Sequence, residues 1–207
     1  LDRLEWKNEL LNNISSRQAA DNITFPYNES LEDFEYRNTS VEGKFLDNTQ
    51  TFFFRPNLSG QSGYNVISAF KTIDDSVVYV DIGWIPFEQK ENIDFLDIDY
   101  NKNFSLKGIL ISSKERNMFS PENDYIENIW YTLSSTEMNK FYKLNGSFFI
   151  LKIIDQNYFE QTLIEFNPTQ IPNNHLQYAG TWFLLFIVVG ILYFYQVYQI
   201  IRIKWNT

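Results

Sequence analysis

The 207-residue sequence contains no cysteine and a single histidine. Those two shortages exclude a disulfide scaffold, an iron–sulfur cluster, a thiolate zinc site, a cysteine nucleophile and any multi-histidine metal centre. Positive charge is scarce as well. Lys and Arg number 17 against 26 Asp and Glu, a formal net charge of −9, and no basic run occurs, which argues against nucleic-acid binding. No G-x-G-x-x-G, phosphate-binding loop or G-x-S-x-G is present, so nucleotide-binding and serine-hydrolase readings lose their usual support. Asp97-Ile98-Asp99-Tyr100-Asn101 begins like a calcium loop. It carries Lys102 where Gly is required and Gly108 where the closing Glu belongs, and reads as a solvated loop. What the chain has in quantity is apolar and aromatic residues, 44% and 18% of the total, enough to bury a core. Any chemistry falls to carboxylates, hydroxyls, aromatics or a borrowed cofactor.

The acidic residues all lie at or before Glu165, and residues 179–201 form an uncharged run of 23. As a helix that run is about 35 Å long, enough to cross a hydrocarbon core of about 30 Å with some tilt. Trp182 stands near one end, and Tyr193, Tyr195, Tyr198 and Trp205 towards the other, in the manner of interfacial aromatic belts. The segment therefore reads as a transmembrane helix. Arg202 and Lys204 follow it directly, whereas no Lys or Arg occurs between Lys152 and Arg202. By the positive-inside rule the C-terminus is expected in the cytoplasm, or in the matrix of a mitochondrion, and the preceding domain on the opposite side. Such a domain must be translocated, so an upstream membrane segment is expected before residue 1.

The preceding residues read as α+β, mainly β. Residues 1–18 place Leu4, Leu11 and Ile14 at helical spacing, widened by Trp6 and Leu10, and predict an amphipathic helix. A loop around Pro26 follows. Short β-rich runs then alternate with turn signals at 35–46, 51–55, 64–72, 77–82, 104–112 and 147–155, with Asp74-Asp75-Ser76 as a hairpin turn and a short helix at 135–143. About six strands with few helices predict an antiparallel barrel-like or strongly twisted sheet. The resulting organisation is a helix (1–18), a β-rich extracytoplasmic domain (19–172), a helix cap with the membrane span (173–203) and a short tail (204–207).

Two short clusters stand out. In the first, Pro172 fixes the chain, Asn173 or Asn174 is suited to cap a helix, and His175 falls in its first turn. His175, Tyr178 and Trp182 share a helix face, and the positive end of the helix dipole favours the neutral, metal-ligating imidazole. A flat amphiphilic cofactor such as haem suits that position, ligated by His175 and stacked on Tyr178 and Trp182. An interfacial histidine beside membrane-anchoring aromatics is the alternative. The second cluster, Asp81-Ile82-Gly83-Trp84-Ile85-Pro86, follows a strand; Gly83 permits a special backbone angle, Pro86 ends the ladder, and Trp84 reads as a packing anchor.

In order and spacing these pieces resemble the surfeit-locus assembly-factor family, the Surf/Shy proteins. The motifs are Arg3-Leu4-x-Trp6-Lys7, Gly43-x-Phe45, Gly63-Tyr64, Gly83-Trp84-Ile85-Pro86, Lys107-Gly108-Ile109-Leu110, Phe119-x-Pro121-x-Asn123 with Trp130-Tyr131, and the box from Asn174 to Ala179 leading to Trp182-Phe183. The resemblance implies two membrane helices around a domain on the outer face of the inner membrane. It also implies a non-enzymatic role in assembling haem–copper cytochrome c oxidase, with subunit I and other assembly factors as partners. Bacterial members are proposed to carry haem a to subunit I, and His175 matches their candidate ligand. Gly63, Tyr64, Gly83, Trp84 and Pro86 match structural positions. Ile82 departs from the family, which usually has Arg there; Arg55 or Lys44 are possible substitutes for that charge. Three expectations remain open: a haem a carrier, a cofactor-free scaffold for subunit I, and a membrane-tethered envelope hydrolase acting through carboxylates.

Overall fold

The computed structural model describes residues 2–26, 34–96, 98–155, 158–159, 162–164 and 175–205. It forms two compact units, residues 1–169 and 170–207. In the first unit, helix α1 (Asp2–Ala19) precedes strands β1 (Asn38–Phe45), β2 (Thr51–Phe54), β3 (Gly63–Thr72) and β4 (Val77–Pro86). A 3-10 helix (Phe87–Leu96), β5 (Phe104–Ser112), β6 (Ile129–Trp130), α2 (Ser135–Tyr142) and β7 (Gly146–Ile153) follow. The second unit is the single helix α3 (His175–Trp205).

The sheet order is β1-β5-β7-β4-β3-β2-β6, and β1 also pairs with β3 through Gly43↔Thr72 to Phe45↔Phe70. That extra pairing closes β1, β5, β7, β4 and β3 into a five-stranded barrel, which leaves those strands no open edge. The ring is antiparallel except at β4–β7, and the short β2–β6 pairing outside it is also parallel. A parallel neighbour needs a crossover connection; the chain between β4 and β7 supplies it, carrying β5, β6 and α2.

Burial along the strands explains their composition. β1 alternates strictly, with Thr39, Val41, Gly43 and Phe45 inward and Ser40, Glu42 and Lys44 outward, as a strand with one wet face must. β3 and β4 are buried on both faces over most of their length. The barrel interior takes Val66, Phe70, Val78, Val80, Ile82 and Leu110 among others, while Ile67, Ala69, Tyr79 and Ile150 form a second core on the outside with Trp130 and Met138. Met138 comes from α2, which Ser134 caps by accepting the Glu137 N–H and which ends at Lys143 in a left-handed conformation. One edge-to-face aromatic set centres on Phe45, 5.0 Å from Phe70, 5.3 Å from Phe104 and 5.7 Å from Phe159.

Several elements differ from the sequence expectation in extent. β4 continues through Gly83 and Trp84 to Pro86 because β3 begins at Gly63 and pairs with it to the end. The apolar stripe of α1 is used sparingly: Ile14 is buried and Trp6 is exposed. The expected caps Asn173 and Asn174, and Pro172, lie outside the described residues. In the calcium-like segment, Asp99 Oδ1 accepts the Asn101 N–H, a local Asx turn.

Candidate functional site

The Gly-Tyr and Gly-Trp motifs are neighbours. The β3–β4 ladder sets Gly63 opposite Pro86, Tyr64 opposite Ile85, Asn65 opposite Trp84 and Val66 opposite Gly83. The next pair is Ile67↔Asp81, so Ile82 is the extra residue of a β-bulge. Gly83 holds φ 130°, and a Cβ there would fall 2.5 Å from Thr162 Oγ1, so glycine is required on both counts. Gly63 is required for close approach: a Cβ would fall 2.5 Å from Trp84 Cε2 and closer still to the Ile85 carbonyl oxygen. The Trp84 indole N–H donates to the Arg55 carbonyl at 2.8 Å, fixing the ring across the ends of β2, β3 and β4.

This corner also grips the chain shortly before its second unit. Trp84 N–H donates to the Leu163 carbonyl and Leu163 N–H to the Trp84 carbonyl, both at 2.8 Å. Thr162 Oγ1 lies within donating distance of the carbonyls of Ile82, at 3.0 Å, and Phe159, at 3.1 Å. The bulge thus clips residues 162–163 to β4.

Beside the corner is a buried polar network. Asp81 Oδ2 accepts from Lys152 Nζ at 3.0 Å, and Asn65 Nδ2 reaches both carboxylate oxygens at 2.9 Å. The Gly83 N–H donates to Asp81 Oδ1 at 3.1 Å. Asn65, Asp81 and Lys152 come from β3, β4 and β7 and are all buried. The carboxylate is saturated by donors and tied to a cation, which suits a structural pin and leaves no free lone pair for acid–base work. Sequence reasoning did not single this triad out. Its signal was present as lone polar residues inside apolar runs: Asn65 in Tyr-Asn-Val-Ile, Asp81 in Tyr-Val-Asp-Ile, Lys152 in Ile-Leu-Lys-Ile.

An aromatic string runs outward from Tyr64, which stacks on Phe87 with ring centroids 5.6 Å apart and meets Phe54 edge-on at 5.9 Å; Phe54 in turn meets Tyr131 at 5.9 Å. Burial, and then the neighbouring Tyr131, push the Tyr64 phenol up from its ordinary value, so it stays a neutral donor. Ile82 is buried in the barrel core.

On the other side of β6 a cleft of about 470 Å³ is lined by Arg116, Tyr125, Glu137, Lys140 and Phe141. Its one carboxylate, Glu137, accepts from Asn123 Nδ2 at 2.7 Å and Tyr125 Oη at 3.1 Å. Arg116 lies between Glu137, at 3.8 Å, and Glu122, at 3.6 Å. Among the described residues, no group of three His, Asp or Glu is placed to hold a metal ion.

In the second unit, α3 begins at His175, and Ala179–Gln199 is long and apolar enough to cross a membrane. Tyr178 and Trp182 follow His175 by three and seven residues, which helical periodicity sets on one face. The side chains of His175 and Tyr178 lie outside the described residues; Trp182 is 68% exposed.

Residues 1–187 match the SURF1 family. The SURF1-like protein of Rickettsia felis is 31% identical over 93% of this chain and 86% of its own length. A SURF1-like protein of Dictyostelium discoideum is 24% identical over 93% of this chain and 87% of its own, and surfeit locus protein 1 of Gallus gallus is 23% identical over 96% and 70%. The chain belongs to the SURF1 family.

Proposed function

From that membership we propose that this chain is a membrane-anchored, non-enzymatic assembly factor for haem–copper cytochrome c oxidase. It binds haem a and helps its insertion into subunit I. Its β domain stands on the periplasmic or intermembrane-space side, and the C-terminus on the cytoplasmic or matrix side, because Arg202 and Lys204 follow the span.

The observation that carries the cofactor reading is the position of His175, the sole histidine, as the first residue of α3 and four residues before the apolar span. The donor set fits haem held by one protein ligand: an imidazole, with Tyr178 and the exposed Trp182 on the same face to offer ring surfaces. When bound, haem supplies an iron centre with redox and ligand-binding chemistry. The chain's own part is to donate an imidazole nitrogen, cover one face of the macrocycle and release it. A single displaceable ligand favours transfer, because the acceptor has one bond to exchange.

The test is an absorption spectrum of the protein purified from cells that make haem a, beside His175→Ala. A near-stoichiometric haem a signal, lost or shifted in the variant, is the expected result. Equal absence of signal in both refutes the carrier reading and leaves the cofactor-free scaffold, to be sought by co-purification of subunit I.

A further inference from the structure

The motif Phe119-x-Pro121-x-Asn123 takes no part in the barrel corner. Its asparagine is buried and fully used: Asn123 Oδ1 accepts the N–H groups of Tyr131 at 2.8 Å and Thr132 at 3.2 Å, and Nδ2 donates to Glu137 at 2.7 Å. Its phenylalanine does the opposite. Phe119 is 89% exposed and Met118 91%, on a turn whose backbone is tied by Asn117: Oδ1 accepts the Phe119 N–H at 2.9 Å and the carbonyl accepts the Ser120 N–H at 3.1 Å. A second turn displays Ile126, 95% exposed, while Asp124 Oδ1 accepts the N–H groups of Ile126 and Glu127, both at 3.0 Å. Apolar tips held out on internally bonded turns lose little entropy when something packs on them.

Both turns adjoin the cleft of about 470 Å³. Met118 and Phe119 follow its Arg116 by two and three residues, and Ile126 follows its Tyr125. The ring surfaces in the cleft are already assembled: Tyr125 stacks on Phe141 with centroids 5.5 Å apart, and buried Trp130 meets the two edge-on at 5.4 and 5.8 Å. Two cations stand over these rings. Arg116 approaches Glu122 and Glu137 only to 3.6 and 3.8 Å, beyond hydrogen-bond distance, so its fork of donors is not consumed by them. Lys140 is exposed and makes no ion pair among the described residues. The single lining carboxylate, Glu137, is occupied through Oε2 by Asn123 and Tyr125. The cleft thus offers aromatic walls and two cations whose donors are open to an anion.

We propose that this cleft docks an acidic segment of a partner protein, one that carries a large apolar side chain between carboxylates. The apolar side chain enters against Tyr125 and Phe141, its flanking carboxylates meet Arg116 and Lys140, and Phe119 and Ile126 close over it from the two turns. Charge complementarity argues for this occupant. The chain carries a net charge of −9, so an acidic segment is repelled by the protein as a whole and attracted where Arg116 and Lys140 stand together. Apolar contact then holds what electrostatics brings in, in the division of labour usual for interface hot spots. The site lies wholly within the β domain and involves neither His175 nor a cofactor.

The test is selection of a random peptide library, displayed on phage, against the full chain in phosphatidylcholine nanodiscs after depletion on empty discs. The expected winners carry Asp or Glu on both sides of Phe, Trp, Leu or Met. The strongest, synthesised with a fluorophore, is then titrated by anisotropy against Lys140→Glu, Phe119→Ser and Lys107→Glu. The first two should each weaken binding about tenfold or more. Lys107, exposed on β5 outside the cleft, makes the same change in net charge and should leave affinity within about twofold, because salt screens distant charges. No enrichment over empty discs, or enrichment of basic or uncharged sequences, overturns the proposal. Equal weakening by Lys140→Glu and Lys107→Glu also overturns it, since that reports overall charge, as does a loss confined to only one of Lys140→Glu and Phe119→Ser. A dimer of the detergent-solubilised chain that Lys140→Glu dissociates gives the cleft to a second copy and overturns it too. Lys140 and Phe119 are both exposed, and the emission of buried Trp130 checks that each variant is folded.

Discussion

Replacing Lys152 by Met tests whether the buried triad pins the barrel. Lys152 and Asp81 are each 4% exposed, so the pair exchanges little with water. Removing the ammonium leaves Asp81 charged and enclosed. Breaking a buried pair from one side costs about 3–5 kcal/mol. Here Asp81 keeps the Asn65 amide on both oxygens and the Gly83 N–H, which offset part of that loss, so the expectation is at the lower end, about 3 kcal/mol. Asp81→Leu alone leaves the ammonium stranded and belongs in the same range. The double variant removes both charges and replaces them with apolar volume; its cost should fall well below the sum, giving a coupling of about 2–3 kcal/mol. The assay is urea unfolding of the detergent-solubilised chain, followed by the fluorescence of Trp84 and Trp130, with the four members of the cycle measured at pH 7. A loss below about 1 kcal/mol for Lys152→Met, or a double variant as unstable as the two single losses added, would refute the argument that the pair is desolvated and coupled.

Gly83→Ala forces a side chain onto φ 130° and into Thr162, and should cost about 1–3 kcal/mol from backbone strain while loosening the clip at residues 162–163. Limited proteolysis should then cut faster around residues 156–170; an unchanged digestion pattern and unfolding midpoint would contradict the proposed grip. Burial first, and then Tyr142, raise the Tyr79 phenol, and burial raises Tyr142 itself. A folded-state value above the unfolded one contributes stability in full below about pH 10, and that contribution is lost as pH rises beyond it. Circular dichroism should show alkaline unfolding above about pH 10, postponed in Tyr79→Phe. At neutral pH that variant should lose only about 0.5–1 kcal/mol, because Asn139 Oδ1 still accepts the Gly146 N–H. Coincident alkaline curves for the two proteins would remove Tyr79 from the explanation.

The parts of the fold legible in the sequence were those governed by short-range pattern. β1 and β5 fall close to the runs at 35–46 and 104–112, α2 ends one residue before its expected limit, and the apolar run lies wholly within α3. The end of β4 was not legible, because Gly83 and Pro86 read locally as terminators. Only a partner strand beginning at Gly63 and a bulge at Ile82 let pairing continue past them. The 3-10 helix and β6 were missed for a related reason: two residues of β6 pair with β2 from 77 positions away, a contact no local period announces. Barrel closure is likewise carried by the single β1–β3 register.

The two motif sets differ in what sequence can say of them. Gly63, Tyr64, Gly83, Trp84 and Pro86 are spread over 24 positions yet form one corner, and each shows a reason in contacts: a glycine under an indole, a glycine facing Thr162, a phenol stacked on Phe87. Their composition alone pointed to packing, since glycine and aromatic residues carry no acid–base chemistry. His175, Tyr178 and Trp182 lie within eight positions, and helical spacing alone gathers them on one face. Yet an imidazole followed by aromatics at a membrane boundary satisfies two physical demands at once, ligation and anchoring, and the same spacing serves both. Spectra of His175→Ala separate them, because anchoring by Tyr178 and Trp182 survives the loss of the imidazole whereas ligation does not.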